Sequence, residues 1–370
     1  MRIGKSIEVK GKQFATWLLA KVLGDQNREL DPPKLSDLRS VLFVRPNFRM
    51  GNMLLATPAF HAARECLPDA RISLLTTSAY VHMLHGHPDL DRVHILTRKM
   101  IWNLWALFSL VKEIRAARYD LVVDCSEGES LLGASFIGFS KAPYRLGMKG
   151  SKQEAFFNLS IPVRPTSTHR IDKLLDLMDG IGIRSENRSM KLSLARDDLD
   201  WAEQLWSSWN IKPGRLSVGI NIGARGDKRW PIKHFLQLVE ELIRMDVTPI
   251  IFAGPQELDR LAEMDGKMPE EVIIDTTNVP GRFAALLSRC SVFVTGDTGP
   301  MHLAAAIGTP TIAIFIRNNF QAYCPQGEKH RTLYSETGVT VEEVLSAINQ
   351  LTESEYLLKT EVIVSGDHLN

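Results

Sequence analysis

The sequence predicts an α/β protein built from two parallel-sheet halves, and three observations carry that prediction. The chain has 370 residues, more than one ordinary core accommodates and a natural length for two domains. Short apolar strands alternate with helical stretches twice along it, as in a parallel sheet covered on both faces. Between the two series lies a polar run, residues 184–190, that suits a linker.

A leader of residues 1–37 comes first. Its segment "QFATWLLAKVL" (13–23) places Phe14, Trp17, Leu18 and Val22 at helical spacing near Lys10, Lys12 and Lys21. The breaker-rich "DPPKLSD" (31–37) closes it. The first series follows: strands are predicted at "VLFV" (41–44), "ARISLLTT" (70–77), "VHIL" (93–96) and "DLVVDC" (120–125), with helices at 53–66 and 101–118. The second of these helices begins in "MIWNLWALFSLVKEIRAARY" (100–119), which carries Trp102, Trp105 and Phe108 and then Lys112, Arg115 and Arg118. Packing on the core and peripheral contact with an anionic bilayer are both open for it and for the leader. A weaker-patterned stretch (151–170) leads to the helix "RIDKLLDLMDGIGI".

The second series runs "LSVGINIG" (216–223), a helix over 231–244, "TPIIFAG" (248–254), a helix over 256–265, "EVIIDTT" (271–277) and a helix over 281–289. It ends in "FVTGDTGPMHLAAAIGTPTIAIF" (293–315), which reads strand, polar break, small-residue helix, strand. The helix "VEEVLSAINQL" after residue 341 is expected to return and brace the first half, and the last residues read as a tail.

The composition is that of a soluble globular protein, with 44% hydrophobic and 24% charged residues. A net charge of +1 gives no global pull toward nucleic acid, so nucleic acid is not an expected partner and any anion must be met locally. The cysteines (Cys66, Cys125, Cys290, Cys324) form no CxxC pair or metal-ligand spacing, which suits a reducing cytoplasm. No stretch has the apolar length of a membrane-spanning helix.

In open parallel sheets, ligands sit beyond the carboxyl ends of the strands, and several of those ends carry chemistry. In "TGDTGPMHL" the start of a helix offers backbone N–H groups and the positive end of its dipole to a phosphate. Gly299 allows close approach, Thr298 brings a hydroxyl and His302 an imidazole, while Asp297 is assigned to backbone N–H groups or a ligand hydroxyl. A merely capped helix with His302 exposed is the alternative. "NIGARGDKRWP" (221–231) reads as a diphosphate clamp, in which the Gly223 and Ala224 backbone and the Lys228 ammonium, beside Arg229, face the anion. In "FAGPQE" Glu257 either accepts from ribose hydroxyls or only favours its helix dipole. "DTTNVPG" (275–281) would border a base. Neither GxxxxGK[ST] nor GxGxxG occurs, so a P-loop NTPase or a dinucleotide dehydrogenase is not favoured.

Taken together, "RMGNMLLATPAFHAAR" (49–64), "YDLVVDC" (119–125), "HRIDKLLDLMDGIG" (169–182), "NIGARGDKRWP", "FAGPQE" and "TGDTGPMHLAAAIGTP" resemble the ADP-heptose:lipopolysaccharide heptosyltransferase family, glycosyltransferase family 9. The resemblance implies the GT-B fold, two Rossmann-like parallel-sheet domains facing across a cleft. By that resemblance residues 38–190 form an acceptor-binding domain, residues 191–345 a nucleotide-sugar-binding domain, and residues 346–370 a C-terminal helix and tail. It implies an inverting, metal-independent transfer of a heptose from ADP-heptose to a lipopolysaccharide-type glycolipid at the inner face of the cytoplasmic membrane, without a cofactor. Lys228, Glu257, Asp297, Thr298, Gly299 and His302 would hold the nucleotide.

One departure matters. The family usually carries Gly-Asp where this chain has Gly51-Asn52, and that Asp is thought to be the general base. An amide does not take up a proton at neutral pH. Asn52 would then orient substrate while another carboxylate acts, with Asp124 at the end of "YDLVVDC" first and Glu127 and Glu129 behind it. Otherwise leaving-group stabilisation by Lys228 and the helix start would carry the reaction, or the protein would bind without turnover. Arg45 and Arg49, with Gly51 at the end of the same loop, would meet acceptor phosphates or carboxylates, or the arginines would simply be solvated. A sugar-nucleotide epimerase or hydrolase of similar fold would instead consume donor with no acceptor present.

Overall fold

The computed structural model describes residues 30–77, 81–84, 86–224 and 226–366, together with Lys21. Apart from Lys21, the amphipathic segment 13–23 lies outside the described residues. The chain divides into two compact units, Met1–Arg188 and Ser189–Asn370.

In the first unit, β1 (Ser40–Val44), β2 (Arg71–Thr77), β3 (Arg92–Leu96), β4 (Leu121–Asp124), β5 (Tyr144–Met148) and β6 (Leu159–Ile161) form a six-stranded sheet in the order β3-β2-β1-β4-β5-β6. All neighbouring strands run parallel, and Val41 of β1 stands between Ile72 of β2 and Leu121 of β4. The central strands are buried along their whole length, which is why they read as continuous apolar runs rather than alternating ones. Phe43, Phe60 and Phe156 are fully enclosed, each burial supplying about 1.5–3 kcal/mol.

The second unit repeats the plan. Its strands β7 (Ser217–Asn221), β8 (Thr248–Phe252), β9 (Ile273–Asp275), β10 (Val292–Gly296), β11 (Thr311–Phe315) and β12 (His330–Tyr334) lie in the order β12-β11-β10-β7-β8-β9, again all parallel. Numbered from β7, this is the same order as in the first unit. The sequence pattern points to both sheets but not to all their strands. β5 is interrupted by Arg145 and Gly147, β6 has three residues, and β12 is an edge strand with every residue only half buried.

The helix Val341–Gly366 differs from expectation. Val341, Val344, Ala347, Ile348 and Leu351 join the core of the second unit, with Phe235 and Leu238 of helix Ile232–Arg244. Their near-helical spacing makes one apolar stripe, and the second unit covers it. The helix braces that unit.

Candidate functional site

In each sheet the chain reverses its winding direction between two adjacent parallel strands, β1 and β4 in the first unit and β7 and β10 in the second. A crevice opens beyond the carboxyl ends at such a point, because the flanking connections leave to opposite sides. Both clusters of suspicious residues lie there.

In the second unit β7 ends at Asn221 and β10 at Gly296. Ile220 pairs with Val294, so Asn221 arrives beside Thr295. Its Nδ2 donates to Thr295 Oγ1 (3.1 Å) and to Thr298 Oγ1 (3.3 Å), while its Oδ1 accepts the Gly223 N–H (3.1 Å). One buried amide thereby fixes both strand-end loops. Thr298 is the N-cap residue of helix Gly299–Ala306, extended at φ −140° and ψ 169°, and its side chain makes no capping bond. Its hydroxyl is turned toward Thr295, 3.1 Å away. The first-turn amides of Gly299 and Met301 therefore receive no cap from the Thr298 side chain, and Pro300 brings no N–H. His302 is buried, which removes the exposed alternative.

Around this helix start the charges are organised. Lys228 Nζ donates to Asp297 Oδ2, which also accepts Asn319 Nδ2 at 3.0 Å. Asp297 thus holds the lysine, a partner different from the backbone N–H groups or ligand hydroxyl assigned to it from sequence. Arg229 turns back to the Ala224 carbonyl (3.0 Å) and braces the loop. Glu257 packs over the glycines: a Cβ on Gly223 would stand 2.8 Å from Glu257 Oε1, and one on Gly254 2.9 Å from Oε2. Asp275 accepts the Thr277 N–H (3.1 Å) and hydroxyl (2.9 Å), and burial raises its pKa. Gly223, Ala224, Lys228, Glu257, Asp297, Thr298, Gly299 and His302 all belong to strand-end loops or the helix start on the carboxyl edge of this sheet.

In the first unit a pocket opens beside the ends of β1 and β4, with Arg45, Asn52, Asp124, Glu127, Arg170 and Lys173 among its lining. Asp124 is fully buried. Its Oδ1 accepts the Ser126 N–H (3.0 Å) and hydroxyl, and its Oδ2 accepts the Gly128 N–H (2.7 Å). Burial raises the Asp124 pKa, and these donors oppose the shift. The bonds close a tight turn in which Glu127 (φ 55°) and Gly128 (φ 68°) are both left-handed. A Cβ on Gly128 would collide with Ser151, so that position requires glycine.

Glu127 meets Arg170 Nη1 at 2.7 Å and Lys173 Nζ at 3.5 Å. Glu129 is largely exposed, 3.6 Å from Arg170. Arg45 is buried, and its guanidinium donates to the Asn52 carbonyl (3.2 Å) and the Cys125 carbonyl. Burial lowers its pKa, the nearby Asp124 opposing that shift. Asn52 sits on helix Met50–Leu54 with Gly51, which is buried; Arg49 is exposed at the N-cap. Neither Gly51 nor Arg49 lines the pocket.

Sequence reasoning passed over Asn221, Asn319, Arg170 and Lys173. Asn221 had a legible signal, since a carboxamide ending a buried strand needs partners. Arg170 and Lys173 are distant in sequence from the strand ends, and only the fold brings them there. Among the described residues, no group of three or more His, Cys, Asp or Glu could hold a metal ion.

A family model described as Glycosyltransferase family 9 (heptosyltransferase) matches residues 107–348. Lipopolysaccharide heptosyltransferase 3 of Escherichia coli K12 is 24% identical over 284 residues, covering 72% of this chain and 79% of that protein. Lipooligosaccharide heptosyltransferase 2 of Haemophilus influenzae is 23% identical over 304 residues, covering 78% and 87%. Among solved structures, a family 9 glycosyltransferase from Veillonella parvula superposes with a TM-score of 0.78 at 20% identity, covering 85% of this chain and 97% of that one. E. coli heptosyltransferase WaaC, solved with ADP-2-deoxy-2-fluoro heptose, gives 0.64 at 19% identity, covering 84% and 99%. At these identities the structural likeness shows the fold, which is GT-B.

Proposed function

The chain belongs to glycosyltransferase family 9, the heptosyltransferase family, and on that premise we propose that it moves a heptose from ADP-heptose to a lipopolysaccharide-core glycolipid with inversion at the anomeric carbon. The second unit would hold the donor and the first the acceptor, presented at the inner face of the cytoplasmic membrane. The observation that carries this reading is the uncapped start of helix Gly299–Ala306 with the Lys228 ammonium held beside it.

In the proposed step an acceptor hydroxyl attacks the anomeric carbon as it loses its proton. The bond from that carbon to the diphosphate oxygen breaks, and negative charge grows on the departing ADP. Oriented amides at a helix start and a preplaced cation stabilise such charge without reorganising. Glu257, beside Gly223 and Gly254, is suited to accept from ribose hydroxyls.

The proton needs a carboxylate, because Asn52 does not accept one. Asp124 is fully buried and takes its hydrogen bonds from its own loop, whereas the Glu127 side chain is 15% exposed, so we assign Asp124 to positioning that loop. Glu127 lines the pocket, is carried on a left-handed backbone that glycine usually occupies, and is assigned the base role. Arg170 and Lys173 hold its carboxylate in place and offer cations to an anionic acceptor.

Calorimetric titration with ADP, UDP and GDP, followed by transfer from ADP-heptose to heptose-deficient lipopolysaccharide, tests the proposal. Preferred ADP binding with glycolipid labelling supports it. Binding without turnover supports instead a non-catalytic sugar-nucleotide-binding protein, the alternative that Asn52 leaves open.

A further inference from the structure

Helix Leu104–Ala116 and the turn Met100–Trp102 before it present an apolar face that no described residue covers. Leu110 and Ile114 bury the opposite face in the core of the first unit, with Leu107 and Val111 packed beside them. Outward, Trp102 is 91% exposed, Leu104 79%, Trp105 84% and Phe108 62%. At 100° per residue, Leu104, Trp105, Phe108 and Lys112 fall within a single arc roughly 100° wide, so the exposure is a stripe and not a scatter.

The charges around the stripe are of one sign. Residues 98–118 contain Arg98, Lys99, Lys112, Arg115 and Arg118 against the single acid Glu113, which is turned to Arg92 (2.9 Å) and His94 (2.7 Å). Two copies docked through this face would bring like charges together. An anionic surface would not.

The stripe also stands where a surface-bound acceptor would be useful. All strands of the sheet are parallel, so the turn after β3 rises from the same edge as the pocket loops after β1 and β4. β3 lies two strands from β1, about 10 Å at ~4.8 Å per strand. Arg98 in that turn sits over the Phe48 ring, 4.8 Å from its centre, and so touches the loop that leads to Asn52.

We propose that Trp102, Leu104, Trp105 and Phe108 insert into the interfacial layer of a bilayer rich in anionic lipid, with Lys99 and Lys112 at the headgroups. Tryptophan suits that layer because its ring is apolar and its N–H remains wet. A helix lying in the plane with cations on its flank gains from both apolar burial and the surface potential. The use of this contact, holding the pocket at the lipid surface, rests on the glycolipid-acceptor reading; the contact itself does not.

The test is co-sedimentation of the full chain with vesicles of phosphatidylcholine alone or mixed with phosphatidylglycerol, alongside ADP titration of the same samples. The wild type is expected to bind the mixed vesicles about tenfold more tightly, and added salt should weaken that binding. Trp102→Ser, Trp105→Ser and Phe108→Ser combined should lower partitioning about tenfold or more, and Lys99→Glu with Lys112→Glu should remove the lipid preference. Both variants change exposed positions, so an unshifted melting curve is expected. Vesicle binding by the triple variant equal to that of the wild type overturns the proposal. So does a wild-type chain that ignores vesicles, or a dimer in velocity sedimentation that the triple variant dissociates without any lipid effect. Absence of ADP binding would instead count against the transferase reading and leave this one standing.

Discussion

Lys228 and Asp297 form an ion pair where β10 passes into helix Gly299–Ala306, and Asn319 donates to the same carboxylate oxygen at 3.0 Å. The ammonium is thus held next to uncapped amides before any anion arrives. A fixed cation loses less freedom on binding than a swinging one.

Lys228→Ala should therefore weaken ADP binding by about 1.5–3 kcal/mol, the worth of a hydrogen bond to a charged group. The melting temperature should also fall, because Asp297 is only 12% exposed and is left with Asn319 as its donor. Calorimetry that returns the wild-type affinity would remove Lys228 from the site.

Asn221→Ala removes the amide that joins Thr295, Thr298 and Gly223. The Gly223 N–H loses its acceptor and the Thr295 and Thr298 hydroxyls, which keep each other, lose a shared donor, so a loss of about 1–3 kcal/mol in urea unfolding is expected, with weaker ADP binding. Stability within a few tenths of the wild type would mean that water replaces the amide.

The glycines separate cleanly. Gly223→Ala would push a methyl group to 2.8 Å from Glu257 Oε1 and 3.1 Å from Asn221 Oδ1, so it should loosen ADP binding. At Gly296 the nearest atom to an added Cβ is 3.7 Å away, and Gly296→Ala should cost less than about 0.5 kcal/mol. The opposite ranking in parallel titrations and melts would contradict the packing of Glu257.

Glu127→Gln is expected to lower kcat by about 10²- to 10⁴-fold with ADP affinity intact, the loss typical of a removed general base. Retained transfer by Glu127→Gln would return the base role to another group.

Asp124 carries a pH signature of its own. Burial raises its folded pKa, so its favourable contribution is complete below the ordinary carboxylate value of 3.8 and declines as pH rises through the elevated folded value. Asp124→Asn cannot ionise and should flatten that decline. The difference in unfolding free energy between wild type and variant, followed upward from pH 4, should shift in favour of the variant by about 1.4 kcal/mol for each unit by which the pKa is raised. A constant difference would mean that Asp124 ionises as freely in the fold as outside it.

The strand–helix alternation was legible because buried parallel strands are continuous apolar runs, as in "VLFV" and "TIAIF". The edge strand "HRTLY" was not, since half-covered residues carry no such constraint. At the site, the glycines, Thr298 and His302 read as the makings of an anion site at a helix start. What stayed hidden were partnerships. Asp297, assigned from sequence to backbone N–H groups or a ligand hydroxyl, is found against Lys228, and Asp124 is found buried among hydrogen bonds from its own loop. Spacing along a chain does not reveal which neighbours a carboxylate will have.

The most direct measurement is a crystal structure of the chain with ADP. The account predicts β-phosphate oxygens within about 3 Å of the first-turn amides of helix Gly299–Ala306, with the Lys228 ammonium in contact. A diphosphate lodged elsewhere, with those amides bound only to water, would contradict it.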